Sequence, residues 1–274
     1  MTPITFPLIV FGVCIGSFLN VIIYRLPRKK SFIFNRSKCP ACKKKLNIID
    51  LFPIISWIFL SAKCRYCRSS ISFRYPFVEF LTAFLFYLCL ESAGFNYNFP
   101  TGIFEIISGC ILASFLIVLF FIDIDEMILP NSVTYSGAVV GLILVYYYNW
   151  FVVKSSNDFF LDNLFAYFIA FFGFSLFSVI VKIIFKKPGL GGGDTKLFAM
   201  SGAWLGTTGL EVTTVLTFLL SAIYVVFGLI FRFLKRGEYI PLGPFICSSI
   251  FLVWSLGPMF WFQLLGDIFW WKYL

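Results

Sequence analysis

Apolar runs of close to twenty residues recur along this chain, and a helix of that length is what crosses a lipid bilayer. Of the 274 residues, 60% are hydrophobic and 13% are charged, whereas a soluble domain carries about 25% charged residues. The sequence therefore predicts an all-α, polytopic integral membrane protein. We expect about eight transmembrane helices, with 196–231 alternatively forming one kinked span; the candidate spans are residues 4–24, 76–94, 103–122, 133–150, 159–184, 196–212, 213–231 and 243–264.

The basic residues are unevenly distributed. Of the 22 Lys and Arg residues, 13 lie between Arg25 and Arg74, where Asp50 is the only acid. Cytoplasmic loops of membrane proteins carry such an excess, so we expect this loop inside and the N-terminus outside. Anionic lipid beside a tethered loop explains the charge better than nucleic acid does. The first apolar segment lacks the flanks of a cleavable signal peptide and is expected to remain as a span.

Four of the eight cysteines form two C-x2-C pairs in this basic loop. They are Cys39 and Cys42 in "CPAC", and Cys64 and Cys67 in "CRYC", with 21 residues between the pairs. Two such pairs supply the four thiolates of a closed, structural Zn²⁺ site. A disulfide or a redox pair is the alternative, but a cytoplasmic loop disfavours stable disulfides. We expect three regions: a first helix over 1–24, a four-cysteine zinc loop domain over 25–75, and a multi-helix membrane domain over 76–274.

The apolar stretch "IIDLFPIISWIFLSA" at 48–62 lies between the two cysteine pairs. It is short for a transmembrane helix and contains Pro53, so an interfacial or zinc-domain segment is the better interpretation.

Carboxylates are the main candidates for acid–base chemistry, because the chain contains no histidine. Asp123 follows directly on a predicted span in "FIDIDEMILPN", and Asp194 follows the three glycines of "LGGGDTKLF". One span running out and one running back separate them, so both are expected at the cytoplasmic membrane face. Two facing carboxylates that share a proton can hydrolyse an amide, one activating water and the other polarising the carbonyl. Asp125 and Glu126 are expected to face water, with Asp125 kept as the alternative to Asp123 in the catalytic pair.

The glycines before Asp194 have two expected roles. Gly191, Gly192 and Gly193 would let the backbone adopt φ values that other residues avoid, and would leave room for an extended peptide substrate. An ordinary turn with a capping aspartate is the simpler alternative. For Lys196, a positively charged membrane anchor is preferred over a countercharge.

With these residues in view, the chain resembles the type IV prepilin peptidases, membrane aspartyl proteases of the GxGD kind. The resemblance rests on an ordered series of segments; these are "GSFLNVIIYRLP" (16–27), "CPAC", "PIISW", "CRYC", "RYPFVE", "DIDEMILPN" (123–131), "GLGGGDTKLFAMSGAWLG" (189–206) and "PLGPF" (241–245). One departure is Asn131, where the family often has Asp, and we expect no loss of activity from it.

The resemblance implies that Asp123 and Asp194 are catalytic and that the four loop cysteines bind zinc. It further implies cleavage, after a glycine, of the basic leaders of type IV prepilins and type II secretion pseudopilins, at the cytoplasmic side of the bacterial inner membrane. N-methylation of the new N-terminus by S-adenosylmethionine is also implied, although no methyl-donor motif is recognisable.

Three other functions are weighed against this one. A proton- or ion-coupled transporter would hold its carboxylates near the membrane midplane rather than at helix ends. A membrane thiol oxidoreductase would need the CxxC pairs in an oxidising compartment. A zinc-stabilised scaffold would explain the cysteines but not the two acidic motifs.

Overall fold

The computed structural model describes residues 4–31, 37–93, 101–153, 158–186, 190–235 and 239–269. Over these residues the chain is helical, and the only strand-like pairings are two isolated bridges. A 3₁₀ turn precedes α2, and a π-helical turn follows α5. The α-helices are α1 (Thr5–Arg25), α2 (Ile55–Phe59), α3 (Arg74–Ser92), α4 (Thr101–Glu126), α5 (Asn131–Tyr147), α6 (Asp158–Phe185), α7 (Gly192–Ile230), α8 (Gly243–Leu256) and α9 (Pro258–Phe269).

The expected polytopic, all-α fold is confirmed, although the candidate spans found among the described residues are fewer than the eight expected. Among the described residues, six helices are long and apolar enough to cross a membrane, or seven if α8 and α9 together form one. The segment predicted over 196–231 corresponds to α7, the single kinked element that the sequence left as the alternative to a pair of spans, and its kink lies at Gly206. The predicted span 243–264 is broken at Gly257, where α8 and α9 meet with a bend of 102°.

The break within α7 lies at Gly206, whose φ of 71° and ψ of −172° are accessible in practice only to glycine. Two neighbouring residues of α6 satisfy the backbone groups that the break exposes. Asn163 donates its side-chain amide to the carbonyl of Ala203 at 3.1 Å, on one side of the break. Asp162 accepts the N–H of Thr207 at 3.0 Å and its hydroxyl at 2.7 Å, on the other. The interruption is therefore hydrogen-bonded on both sides, as an apolar environment requires.

The chain divides into two compact units, residues 1–97 with 105–118, and residues 98–104 with 119–274. In the first unit, α1 packs closely on α3 through the G-x3-G pair Gly12 and Gly16. A Cβ on Gly12 would lie 2.7 Å from Cα of Ala83, and one on Gly16 would lie 2.7 Å from Cα of Glu79. Small residues at this spacing let two apolar helices approach backbone to backbone.

In the second unit, α7 packs against α5, α6 and α8. The indole of Trp204 covers the small residues of α5, with its N–H donating to the carbonyl of Gly137 at 2.9 Å. Where α7 packs against α6, a Cβ on Gly202 would lie 2.7 Å from the carbonyl carbon of Ala166. These contacts hold the first half of α7, which carries Asp194, among its neighbouring helices.

Candidate active site and cysteine cluster

Asp123 lies near the C-terminal end of α4 with its side chain only 5% exposed. Its Oδ2 accepts a hydrogen bond of 3.0 Å from the backbone N–H of Gly243, the first residue of α8. The first N–H groups of a helix have no partner within the helix, so this carboxylate caps α8 from another element. Asp125 and Glu126, in contrast, are exposed to solvent, as the sequence predicted.

Asp194 lies in the first turn of α7, partly exposed. Its Oδ2 accepts a hydrogen bond of 3.2 Å from the N–H of Gly191, the residue that caps the helix. The aspartate therefore closes its own helix N-terminus from within the first turn. The N-terminal end of a helix carries partial positive charge and stabilises a nearby anion.

The structure brings these two carboxylates together. The charge of Asp123 acts on Asp194, and buried Cys247 of α8 lies within the electrostatic range of both. Among the described residues each carboxylate accepts one hydrogen bond, through Oδ2. Neither Oδ1 accepts a hydrogen bond from the described residues, while the N-terminal ends of α8 and α7 stabilise negative charge on Asp123 and Asp194 respectively.

One expectation about the glycine run is wrong. Gly191 has φ −62° and ψ 143°, which any residue adopts, and Gly192 and Gly193 lie in the helix. Two of these glycines are required because a side chain would not fit at their positions, and not because their backbone conformation excludes other residues. A Cβ on Gly191 would lie 2.8 Å from Oδ2 of Asp194, and one on Gly193 would lie 2.9 Å from Cβ of Leu129. A Cβ on Gly192 would meet nothing within 4 Å, so the surface beside Asp194 is open there.

Lys196 links the two acidic motifs. Its Nζ donates to Oδ1 of Asn131 at 2.7 Å and lies 5.5 Å from the ring centre of Tyr135. Asn131 begins α5 directly after the segment of Asp123, and Lys196 follows Asp194 by two residues. The contact therefore fastens the start of α5 to the start of α7 beside the carboxylates.

The four loop cysteines form one cluster in the first unit. The Sγ atoms of Cys39, Cys42, Cys64 and Cys67 all lie within 4.8 Å of one another, and that of Cys39 lies 3.8 Å from that of Cys67. Tetrahedral Zn²⁺ with bonds of about 2.3 Å separates its sulfur ligands by about 3.8 Å. A disulfide would need about 2.0 Å. The arrangement fits a four-thiolate metal site, and all four cysteines are free.

The two C-x2-C turns have the same backbone geometry. In each turn the first cysteine accepts the N–H of the residue four positions later and donates its own N–H to the carbonyl five positions later. The residues at the fourth position, Lys43 and Arg68, both have a φ of 58°. The two turns, here called the knuckles, therefore have the same shape, and each directs two sulfur atoms toward the centre of the cluster.

Local hydrogen bonds favour the thiolate at Cys39 and Cys67, whereas at Cys42 the hydrogen bond from the backbone of Lys44 is outweighed by desolvation and the neighbouring thiols, which raise the pKa of Cys42 to about 11. The backbone N–H of Cys42 contributes most to lowering the pKa of Cys39 to about 6. The hydroxyl of Ser69 lowers the pKa of Cys67. A thiolate, not a thiol, is the form that binds a metal ion.

Two family models match this chain. The bacterial peptidase A24 N-terminal domain matches residues 10–92, and the type IV leader peptidase family matches residues 110–226. A prepilin leader peptidase/N-methyltransferase of Neisseria gonorrhoeae is 32% identical over 289 residues, covering 95% of this chain and 94% of that protein. This chain belongs to the type IV leader peptidase family.

Other relatives in the leader peptidase family bear the same name. One from Pseudomonas aeruginosa is 33% identical over 283 residues, covering 92% of each chain. One from Myxococcus xanthus is 39% identical over 198 residues, which is 72% of this chain but 55% of that protein. No solved structure matches the chain.

Two polar contacts in the structure of this chain were not predicted from its sequence. Gly243 was noticed only as part of "PLGPF", because a hydrogen bond across 120 residues leaves no local pattern. Glu79 is buried and accepts the N–H of Ile54 at 2.7 Å. The apolar setting of Glu79 in "RYPFVEFL" was the available signal, because a carboxylate buried in such a segment needs a donor.

Proposed function

We propose that this enzyme of the type IV leader peptidase family cleaves prepilin leader peptides with Asp123 and Asp194 as its catalytic pair. The observation that carries the proposal is the meeting of these two carboxylates at the N-terminal ends of α8 and α7. The domain division 1–24, 25–75 and 76–274 is part of the same proposal. No contact of the described residues favours a transporter.

The chemistry follows from one proton shared between the two carboxylates. The ionised aspartate removes a proton from a water molecule, whose oxygen attacks the carbonyl carbon of the scissile peptide bond. The protonated aspartate donates a hydrogen bond to the carbonyl oxygen and stabilises the charge that develops there. When the tetrahedral intermediate collapses, the C–N bond breaks and the aspartate that took a proton from water passes it to the leaving amine. Both peptides are then released. No covalent enzyme intermediate is needed.

The hydrogen bonds from Gly243 and Gly191 contribute by fixing one oxygen of each carboxylate. With both Oδ2 atoms held, the two Oδ1 atoms keep a constant position relative to the bound water and the carbonyl. Such preorganisation lowers the barrier because the polar groups need not rearrange during the reaction. The open surface at Gly192 gives an extended peptide room to approach Asp194.

The proposed substrates are type IV prepilins and, by the same chemistry, pseudopilins of type II secretion. Such a precursor has a cationic leader in the cytosol and an apolar helix in the bilayer, so the bond cut after glycine lies at their boundary. The excess of Lys and Arg between Arg25 and Arg74 supports a cytoplasmic location for this loop. If α3 to α6 each cross the bilayer in turn, Asp123 and Asp194 lie on the same side as this loop, and we propose that this side is the cytoplasmic face of the inner membrane.

We propose a structural Zn²⁺ for the cysteine cluster, held by the thiolates of Cys39, Cys42, Cys64 and Cys67. The ion would stabilise the fold of the loop, because four protein ligands leave no open coordination position. The names of the relatives also support an N-methyltransferase activity. In that reaction the chain would transfer a methyl group from S-adenosylmethionine, as substrate, to the new N-terminal amine.

Cleavage of a full-length prepilin by the solubilised chain tests the proposal. We expect leader removal after a glycine, and a loss of at least about a hundredfold in rate for Asp123→Asn and Asp194→Asn, which is the usual contribution of acid–base groups. Asp125→Asn, an exposed carboxylate of the same segment, is the matched control and should cleave normally. Normal cleavage by both dyad variants would refute the catalytic assignment. Mass spectrometry with added S-adenosylmethionine reports N-methylation separately.

A further inference from the structure

The short helix α2 exposes an unusually apolar surface in the loop between the cysteine pairs. Ile55, Ile58 and Phe59 are 54%, 61% and 84% exposed, and Phe59 has the highest exposure among the large apolar side chains described. Single exposed apolar residues are common, but several contiguous ones mark an interaction surface. With five residues, α2 is far too short to cross a bilayer.

Two hydrogen bonds fix the orientation of this helix. The N–H of Ile54, immediately before α2, donates to Oε2 of buried Glu79 in α3 at 2.7 Å. The indole N–H of Trp57 donates to the carbonyl of Ile71 at 3.2 Å. The exposed side chains of α2 are therefore held in place at the start of α3.

The surface of α2 continues into that of a candidate membrane span. Trp57 contacts the ring edge of Phe73, with centroids 5.8 Å apart, and Phe73 lies 6.2 Å from Phe77. Phe80 and Phe84 continue the same exposed series along α3. An exposed apolar stripe on a membrane helix faces lipid, so α2 lies at the end of a lipid-facing stripe, where the span begins.

The charges around α2 indicate what covers it. Asp50, the one acid of the basic loop, is paired with Arg65 at 2.6 Å. A cationic peptide such as a leader would be repelled by the exposed cations, whereas an anionic surface would be attracted. The exposed cations of the two knuckles are Lys38, Lys43, Lys44, Lys45, Lys63, Arg65 and Arg68.

We propose that the α2 surface, defined as Ile55, Ile58, Phe59, Phe73 and Phe77, inserts into the headgroup region of the bilayer and selects anionic phospholipid. The apolar side chains bury themselves at the boundary with the acyl chains, while the knuckle cations bind lipid phosphates. The surface belongs to the first compact unit, whereas the carboxylate pair belongs to the second. The α2 surface anchors the cysteine-bearing loop to the membrane independently of the flanking spans.

Photocrosslinking in nanodiscs of equimolar phosphatidylglycerol and phosphatidylcholine tests this proposal. Benzoylphenylalanine is placed at Phe59, or at Ile58 in a second variant, of the full chain. The matched control is Tyr66, an exposed aromatic of the same loop whose ring is covered by Lys44. We expect adducts to lipid acyl chains at Phe59 and Ile58 but only background acyl-chain adducts at Tyr66, which lies among the cations that bind the headgroups. The yield of adducts to the anionic lipid should exceed that to the neutral lipid about fivefold, the ratio that corresponds to the binding free energy of one basic residue near an anionic surface.

Three results would overturn the proposal. They are equal yields at Phe59 and Tyr66, no preference for the anionic lipid, and adducts at Phe59 that switch to protein when a prepilin is added. The unmodified chain provides a second measurement, hydrogen exchange of residues 52–60 in anionic against neutral nanodiscs. Slower exchange in the anionic discs is expected, and identical exchange would also refute insertion.

Discussion

The backbone amide of Gly243 donates a hydrogen bond of 3.0 Å to Oδ2 of Asp123, a residue 120 positions earlier in the chain. The contact joins the end of α4 to the beginning of α8 and places a buried carboxylate at a helix N-terminus. It also leaves no space for a side chain, since a Cβ on Gly243 would lie 2.5 Å from that oxygen and 2.9 Å from Cγ. Gly243 is therefore a positioning residue for Asp123.

Gly243→Ala should lower the rate of prepilin cleavage about a hundredfold, because an ångström of misplacement at a reacting group costs that much. The added methyl group must push the Asp123 carboxylate or α8 aside. The measurement is the initial cleavage rate at saturating prepilin. Gly173→Ala is the control, because a Cβ on this α6 glycine meets nothing within 4 Å. Equal rates for the two variants would contradict the positioning role.

The contact between Lys196 and Asn131 predicts opposite effects of two substitutions at one position. Asn131→Asp supplies a charged acceptor and should raise the free energy of unfolding by up to about 1 kcal/mol, the range of exposed ion pairs. Asn131→Ala removes the acceptor and should lower it. Unfolding in mixed micelles, followed by tryptophan fluorescence, measures both. Shifts in the same direction would mean that the 2.7 Å contact does not stabilise the fold.

The break in α7 predicts a difference between two conservative substitutions of Thr207. Thr207→Val removes the hydroxyl that donates to Asp162 and should cost about 1–2 kcal/mol of unfolding free energy. Thr207→Ser keeps the hydroxyl and should cost clearly less. Gly206→Ala should cost about 1–3 kcal/mol, because its backbone conformation excludes a side chain. If valine and serine at position 207 are equivalent, the bond to Asp162 has no energetic role.

The cysteine cluster predicts one zinc ion per chain, measurable by elemental analysis of the purified protein. Cys64→Ser should remove the zinc and expose residues 37–71 to proteolysis, because the ion supplies much of the folding free energy of such a site. Cys14→Ser, which alters an exposed cysteine of α1 outside the cluster, should retain the metal. The zinc site would be excluded if the unmutated protein contained no metal and if its loop were cut by protease at the same rate as the loop of Cys64→Ser.

Local patterns predicted much of this molecule because their physical causes are local. Apolar runs of bilayer length fix the spans, since backbone groups in lipid must be hydrogen-bonded within the segment. The two C-x2-C pairs bring their own turn geometry, so the cluster of Cys39, Cys42, Cys64 and Cys67 followed from spacing alone. The positions of Asp123 and Asp194 at helix ends were likewise visible, as ionisable residues at the limits of apolar segments.

Tertiary contacts decided the rest, because they join residues that no sequence pattern connects. The position of the kink in α7 was not visible in the sequence, because the backbone conformation of Gly206 is supported by Asp162 and Asn163 of another helix. The need for Gly191 and Gly193 comes from the atoms beside them, not from their φ values. The sequence by itself determined a membrane protein with two acidic motifs and a cysteine cluster. Only the packing of α7 against α8 and the hydrogen bond from Gly243 to Asp123 set the two carboxylates within electrostatic range of each other, because the free energy of an interhelical contact depends on both surfaces at once.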